Sequence, residues 1–128
     1  MRKVMVFGTF DGLHEGHRAM LQEAKQYGDY LMVVVAQDHI VEHLKGHLPR
    51  RNLVERFEHL EKVDGVDRVV IGDAEMATWN AVKRYRPDVI GIGHDQQMLK
   101  THLKESFPKL GYEPEIKILH YAEVDKYE

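Results

Sequence analysis

"KVMVFGTFDGLHEGH", residues 3–17, changes its periodicity halfway along. "KVMVFG" is a short apolar run of strand type. "GTFDGLHEG" then interrupts it with three glycines, and from Gly16 to Tyr27 the apolar residues Met20, Leu21, Ala24 and Tyr27 fall on one face at helical spacing, with Gly28 as the stop. A strand that passes through a glycine-bearing loop into an amphipathic helix is the first half of a β-α-β unit.

The rest of the chain repeats that alternation. "YLMVVVA" (30–36) is apolar throughout and predicts a strand buried on both faces. A polar loop containing Gly46 and Pro49 leads to a helix near 51–63, with Leu53, Phe57 and Leu60 on one face. "RVVIG" (68–72) is a third strand, Ala77 to Tyr85 a third helix carrying Trp79 and Val82 as core residues, and "PDVIGIG" (87–93) a fourth strand. A helix from Gln97 to Leu110 and a strand "EIKILHY" (115–121) complete the pattern. Five strands alternating with four helices predict a Rossmann-like, doubly wound α/β fold, a parallel five-stranded sheet with helices on both faces. The 128 residues form one domain, 1–128.

Composition narrows the chemistry. With no cysteine there is no disulfide, thiolate metal site or cysteine nucleophile. Eighteen Lys and Arg against 21 Asp and Glu give a net charge of -3, which creates no field for nucleic acid. No apolar run is long enough to span a bilayer and the N-terminus is not a signal peptide, so a cytoplasmic protein without membrane contact is expected. His39, His43 and His47 recur every four residues, but Gly46 interrupts a helix there; they read as a surface face, and no metal site is expected.

In a doubly wound sheet, ligands bind beyond the carboxyl ends of the strands. "GTFDGLHEGH" (8–17) occupies that position after the first strand. Gly8 allows close approach to the backbone, Thr9 offers a hydroxyl and an amide, and the helix start presents free N–H groups to an anion. His14 and His17, with only Glu15 and Gly16 between them, can aim two imidazole N–H donors at one phosphate. Asp11 serves that phosphate site or stabilises the loop and helix start.

The stretch is neither the G-x-G-x-x-G dinucleotide fingerprint nor a Walker loop. It resembles the H-x-G-H signature of the nucleotidyltransferase superfamily, in the G-T-F-D-x-x-H-x-G-H form of glycerol-3-phosphate cytidylyltransferases and archaeal FAD synthases. The resemblance extends through "AKQYGDYLMVVVAQD", "KGHLP", "ERF", "VDGVDRVVIGD" and "PDVIGIGHDQ". It implies transfer of a nucleoside monophosphate from a nucleoside triphosphate to an acceptor phosphate, with release of pyrophosphate. His14, His17, Lys45 and Arg56 are the implied catalytic residues. Gly8, Thr9, Phe10, Asp11, Gly16, Gly93 and Asp95 are the implied nucleotide contacts, and Asp38 and Lys45 the acceptor contacts. Asp95 contacts the base or caps the next helix. Arg50 and Arg51 read as a solvated charge run.

Magnesium is implied as a companion of the triphosphate, and a homodimer as the assembly. The expected reaction uses CTP and a small phosphorylated alcohol such as glycerol 3-phosphate. The alternative is ATP with FMN, since "GHDQ" is nearer the G-Y-D-Q of the FAD synthases than the G-D-D of the cytidylyltransferases. A nucleotide-binding module without turnover is the reading from another class. The family closes its site with a Ser/Thr-rich segment after the last strand. "AEVDKYE" (122–128) has neither residue, which predicts weak nucleotide binding by this chain.

Overall fold

The computed structural model describes residues 1–76 and 78–120. At its centre β1 (Lys3–Gly8) and β2 (Tyr30–Val35) run parallel, in register from Lys3 opposite Tyr30 to Gly8 opposite Val35. Outside β2 lies β3 (Arg68–Ile71). On the other side of β1 lie β4 (Val89–Gly93) and then β5 (Glu115–Leu119). The order β3-β2-β1-β4-β5 is parallel throughout, so the strand order reverses between β1 and β4.

Alternate residues of the central strands feed two separate cores. Val4, Val6, Leu31, Val33 and Val35 pack with Met20, Leu21 and Ala24 of α1 (Glu15–Lys25) and Leu60 of α3 (Leu53–Glu61). Met5, Met32, Val34, Ile90 and Ile92 pack on the opposite face with Val82 of α4 (Asn80–Tyr85), Leu103 of α5 (Gln97–Glu105) and Leu110 of α6 (Phe107–Leu110). Helices on both faces explain why these strands are continuous apolar runs rather than alternating ones. No helix among the described residues is long and apolar enough to cross a membrane.

Several boundaries differ from expectation, each for a local reason. Residues expected to be a polar loop form α2 (Asp38–Lys45), which ends at Gly46 in the left-handed conformation, φ 83°. Ile40, Val41 and Leu44 lie at helical spacing within it, although only Val41 is buried and the helix is eight residues long. His39 and His43 share it, whereas His47 lies beyond the stop. The third helix runs from Asn80, its expected start at Ala77 lying outside the described residues, and Asp73 caps it: its Oδ2 accepts from the Asn80 N–H at 2.6 Å and the Thr78 hydroxyl at 2.7 Å. Trp79 just before it is left-handed, φ 56°. The long fourth helix divides at Ser106 into α5 and α6, because Pro108 lacks an N–H and its ring crowds the preceding turn. Described residues thus form six helices instead of four. The last strand ends at Leu119, and Tyr121 and "AEVDKYE" lie outside the described residues.

Asp67 fastens the edge of this assembly. Its Oδ2 accepts from the Lys25 ammonium at the end of α1 and from the Leu31 N–H of β2 at 2.8 Å. The Lys25 hydrogen bond, and then that of Leu31, hold its pKa below the usual aspartate value. A carboxylate depressed in the folded state stabilises it above the unfolded pKa, and that contribution disappears as pH falls through the folded pKa. Asp67→Asn is therefore expected to lower stability at pH 7 by about 1 kcal/mol. Urea melts from pH 7 to pH 2 should show the gap between variant and wild type closing on the acid side.

Candidate active site

The first helix is capped by its own histidines. His14 is the N-cap of α1, and its Nδ1 accepts from the Gly16 N–H at 3.0 Å and the His17 N–H at 3.3 Å. His17 Nδ1 in turn accepts from the His14 N–H at 3.3 Å, which closes a capping box. With Nδ1 of each ring engaged as an acceptor, the neutral imidazole carries its proton on Nε2. Both rings therefore become Nε2–H donors. They stack with centroids 3.8 Å apart and planes 22° from parallel, His17 buried and His14 exposed. Phe10 supports His17 from below at 5.3 Å. Its side chain is 1% exposed in the α1 core, and that anchorage holds its backbone at φ 55°, an uncommon value for a bulky residue. What Phe10 can offer a ligand is therefore its backbone.

A second set of contacts joins this loop to the segment after α2. Asp11 accepts the backbone N–H groups of Arg50 at 2.7 Å and Arg51 at 2.9 Å. Arg56, with 0% exposure, donates from Nε to the Arg51 carbonyl at 2.9 Å, from Nη1 to the Thr9 carbonyl at 2.9 Å and from Nη2 to Asp38 Oδ1 at 2.7 Å. Asp11 thereby ties the motif loop to the segment before α3. The resemblance gives Arg56 a phosphate contact, yet its guanidinium is sealed among protein acceptors. Asp38 is bound to it and stays 38% exposed.

On the opposite face of β1 opens a cavity of about 550 Å³. Its floor is the carboxyl ends of the strands: Phe7 and Gly8 from β1 with Thr9 just after it, Val34 from β2, Gly72 after β3, and Asp95 and Gln96 after β4. Ile40, Leu44 and Lys45 of α2 form one wall and Trp79, Met98 and Leu99 the other. Leu44, Met76 and Met98 at its edge are exposed apolar side chains. Gly8 and Thr9 join the cavity to the histidine loop. Asp95 stands exposed in the lining and does not cap α5, whose N-cap is Gln96. Gly93 ends β4, and its N–H donates to Gln96 Oε1 at 2.8 Å.

Sequence reasoning missed Gln96. Its amide also donates to the Phe7 carbonyl at 3.1 Å, so it spans β1 and β4 where the strand order reverses. The quoted "GHDQ" contained that signal. The apolar wall from α2 was missed with its helix.

A parallel sheet of this order, with an H-x-G-H capping box at the start of its first helix, defines an α/β nucleotidyltransferase. Residues 5–121 match the cytidylyltransferase-like family, and the chain belongs to that family. It is 40% identical over 120 residues to the FAD synthase of Thermococcus sibiricus, covering 94% of this chain and 81% of that protein. Similarity to the FAD synthase of Pyrococcus abyssi is 40% over 119 residues, covering 93% and 80%. Among solved structures, a lipopolysaccharide core biosynthesis protein from Thermoplasma volcanium superposes with a TM-score of 0.87 at 32% identity, over 96% of this chain and 99% of that one. A pantoate-beta-alanine ligase from Francisella tularensis shares the fold, at a TM-score of 0.63 and 13% identity over 91% of this chain and 58% of that one. Enzyme relatives of this closeness make the chain a nucleotidyltransferase rather than a binding module without turnover.

The capping box permits a clean dissection. Asparagine carries an acceptor oxygen near the position of Nδ1 but nothing at Nε2, so His14→Asn and His17→Asn are expected to keep the helix start and lose one phosphate donor each. Each should lower kcat by about 100- to 1000-fold while far-ultraviolet circular dichroism stays that of wild type. Arg56→Met should behave differently. It leaves the Thr9 and Arg51 carbonyls and Asp38 without their donor, so denaturant melts should show a loss of about 3 kcal/mol or more together with the loss of activity.

Proposed function

We propose that this chain transfers an adenylyl group from ATP to the phosphate of FMN, the second of the two reactions implied by the sequence resemblance, in place of CTP with a small phosphorylated alcohol. The cavity carries this reading. Aliphatic, aromatic and thioether side chains dominate its lining, beside Lys45, Asp73, Glu75 and His102, which favours a large planar ring with polar edges. Glycerol 3-phosphate has no apolar surface to bury there. The relatives named as FAD synthases support the same choice.

In the proposed complex, the flavin ring fills the cavity and its phosphate reaches Gly8 and Thr9. An acceptor phosphate oxygen attacks the α-phosphorus in line, the new P–O bond forms, and the bond to the pyrophosphate oxygen breaks with its electron pair leaving on pyrophosphate. His14 and His17 donate their Nε2–H groups to the α- and β-phosphates. Lys45, at the end of α2 and in the cavity wall, bridges the acceptor phosphate and the α-phosphate. The backbone of Gly8, Thr9, Phe10 and Gly16 lies along the phosphates, and Gly93 and Asp95 face the base. Asp11, Asp38 and Arg56 hold the loops that carry these contacts.

Among the described residues no group of three or more His, Asp or Glu side chains is placed to hold a metal ion. Magnesium fits this chain as a companion of the triphosphate, held by phosphate oxygens and water, where it supplies charge neutralisation. The homodimer and cytoplasmic location expected from the sequence belong to the same reading.

The test crosses CTP and ATP with FMN and glycerol 3-phosphate in the presence of magnesium, following pyrophosphate release and the dinucleotide product by chromatography. Formation of FAD from ATP and FMN alone is the expected outcome. Turnover of CTP with glycerol 3-phosphate and none of ATP with FMN would overturn it. Leu44→Glu, which places a charge on the apolar wall, should raise KM for FMN by about tenfold or more and leave KM for ATP unchanged.

A further inference from the structure

The paired imidazoles bring donors to the phosphate site, but in the tautomer set by their caps they bring no net charge. A triphosphate needs cations as well as donors. Arg56, the guanidinium implied for that purpose, is fully buried and donates from all three nitrogens to protein acceptors. The same contacts present a different guanidinium to the loop.

Asp11 takes the backbone N–H of Arg51 at 2.9 Å, and Arg56 Nε–H takes its carbonyl at 2.9 Å, so the Arg51 backbone is held from both sides. From there its side chain passes over Gly12. A Cβ built on Gly12 would lie 2.8 Å from Arg51 Nη1 and 3.7 Å from Cζ, and Gly12 itself sits at φ 84°. Glycine at this position thus meets two demands at once, a left-handed turn and a guanidinium lying against the backbone. Gly12 is two residues ahead of His14 in the motif. Among the described residues the Arg51 guanidinium has no hydrogen-bond or ion-pair partner, and the residue is half-buried. Asp11, the carboxylate that holds the Arg51 backbone, is engaged by backbone amides.

We propose that Arg51 is a catalytic residue that binds the phosphates of the nucleoside triphosphate and neutralises the charge that builds on them as the α-phosphorus is attacked. The inference rests on the nucleotidyl-transfer reading above. A guanidinium suits this task because its planar fork can donate two parallel hydrogen bonds to one phosphate. A half-buried cation without a protein counter-charge gains most from a polyanion arriving beside it. Asp11 and Arg56 become positioning residues, whose hydrogen bonds deliver Arg51 to the histidine loop. Arg50 shares the Asp11 anchor through its backbone, but its own side chain takes no part.

The experiment compares wild type with Arg51→Gln, Arg51→Lys and Arg50→Gln. Binding of inorganic tripolyphosphate and of magnesium-ATP is measured by titration calorimetry, and pyrophosphate release by initial rates with ATP and FMN. Arg51→Gln should weaken tripolyphosphate binding by about 10- to 100-fold and lower the rate of release, with a melting temperature close to wild type. Arg51→Lys should recover part of the binding, because it keeps the charge and loses the fork. Arg50→Gln should stay within about twofold of wild type, as expected of an exposed charge.

Tripolyphosphate binding by Arg51→Gln equal to that of wild type overturns the proposal, as does a wild type that binds no tripolyphosphate. A wild type that binds it, loses it in Arg51→Gln and yet forms no FAD upholds Arg51 and overturns the acceptor assignment instead.

Discussion

The buried guanidinium of Arg56 is the interaction on which the site's geometry depends. An arginine with no exposed surface is tolerated only when its donors are met, and three separate segments meet them: Thr9 after β1, Asp38 at the start of α2, and Arg51 before α3. Those segments are 42 residues apart at their extremes in the chain, from 9 to 51, and hydrophobic contact alone would leave their relative positions soft. Directional hydrogen bonds in a dry environment remove that freedom. Preorganisation of this kind matters most where charge moves during a reaction, because donors already in place need no rearrangement as the transition state forms.

Around that clamp the molecule divides its work between the two faces of β1. On the α1 side the loop turns through Phe10 and Gly12, both at positive φ, into a helix whose first turn is capped by imidazoles. Two imidazole rings and the glycine-bearing backbone are what that loop presents. On the α4 and α5 side the strand ends open into an apolar cavity. Among the described residues Gly8 and Thr9 are the only motif-loop members of its lining, so a path from the cavity to the histidine loop passes them. An acceptor with an apolar body and a phosphate tail matches this division better than a small polyol phosphate does. The expectation of a small alcohol rested on the loop motif and on Lys45 with its neighbours, which say little about the apolar lining of the cavity.

Much of the fold was legible because buried parallel strands must be apolar throughout and their covering helices must be amphipathic. "KVMVFG", "YLMVVV" and "PDVIGIG" satisfy the first condition and the α1 sequence the second, and each of those assignments holds to within a few residues. Where the reading failed, the apolar stretch was short or a side-chain cap set the boundary. α2 is eight residues long and buries one of them, and the first amides of α4 are captured by Asp73, seven residues before Asn80. The histidine pair was legible for a different reason: a capping box is a local device, closed within four residues, and its donors and acceptors are all in "HEGH".

The sequence by itself determined the parallel α/β architecture and the glycine- and histidine-bearing loop at the end of the first strand, because each rests on a periodicity or a local spacing, and its resemblance to the nucleotidyltransferases implied the type of reaction. Tertiary structure alone decided which cations fold beside the histidine loop and how large the neighbouring cavity is. Lys45, Arg50, Arg51 and Arg56 form one basic cluster in the sequence, and nothing in their spacing separates them. Only folding seals Arg56 among carbonyls and a carboxylate, anchors Arg50 and Arg51 to Asp11, and lays one guanidinium against Gly12. The difference is physical: burial and partnership are properties of segments brought together across the sheet, and no residue carries them in its own identity.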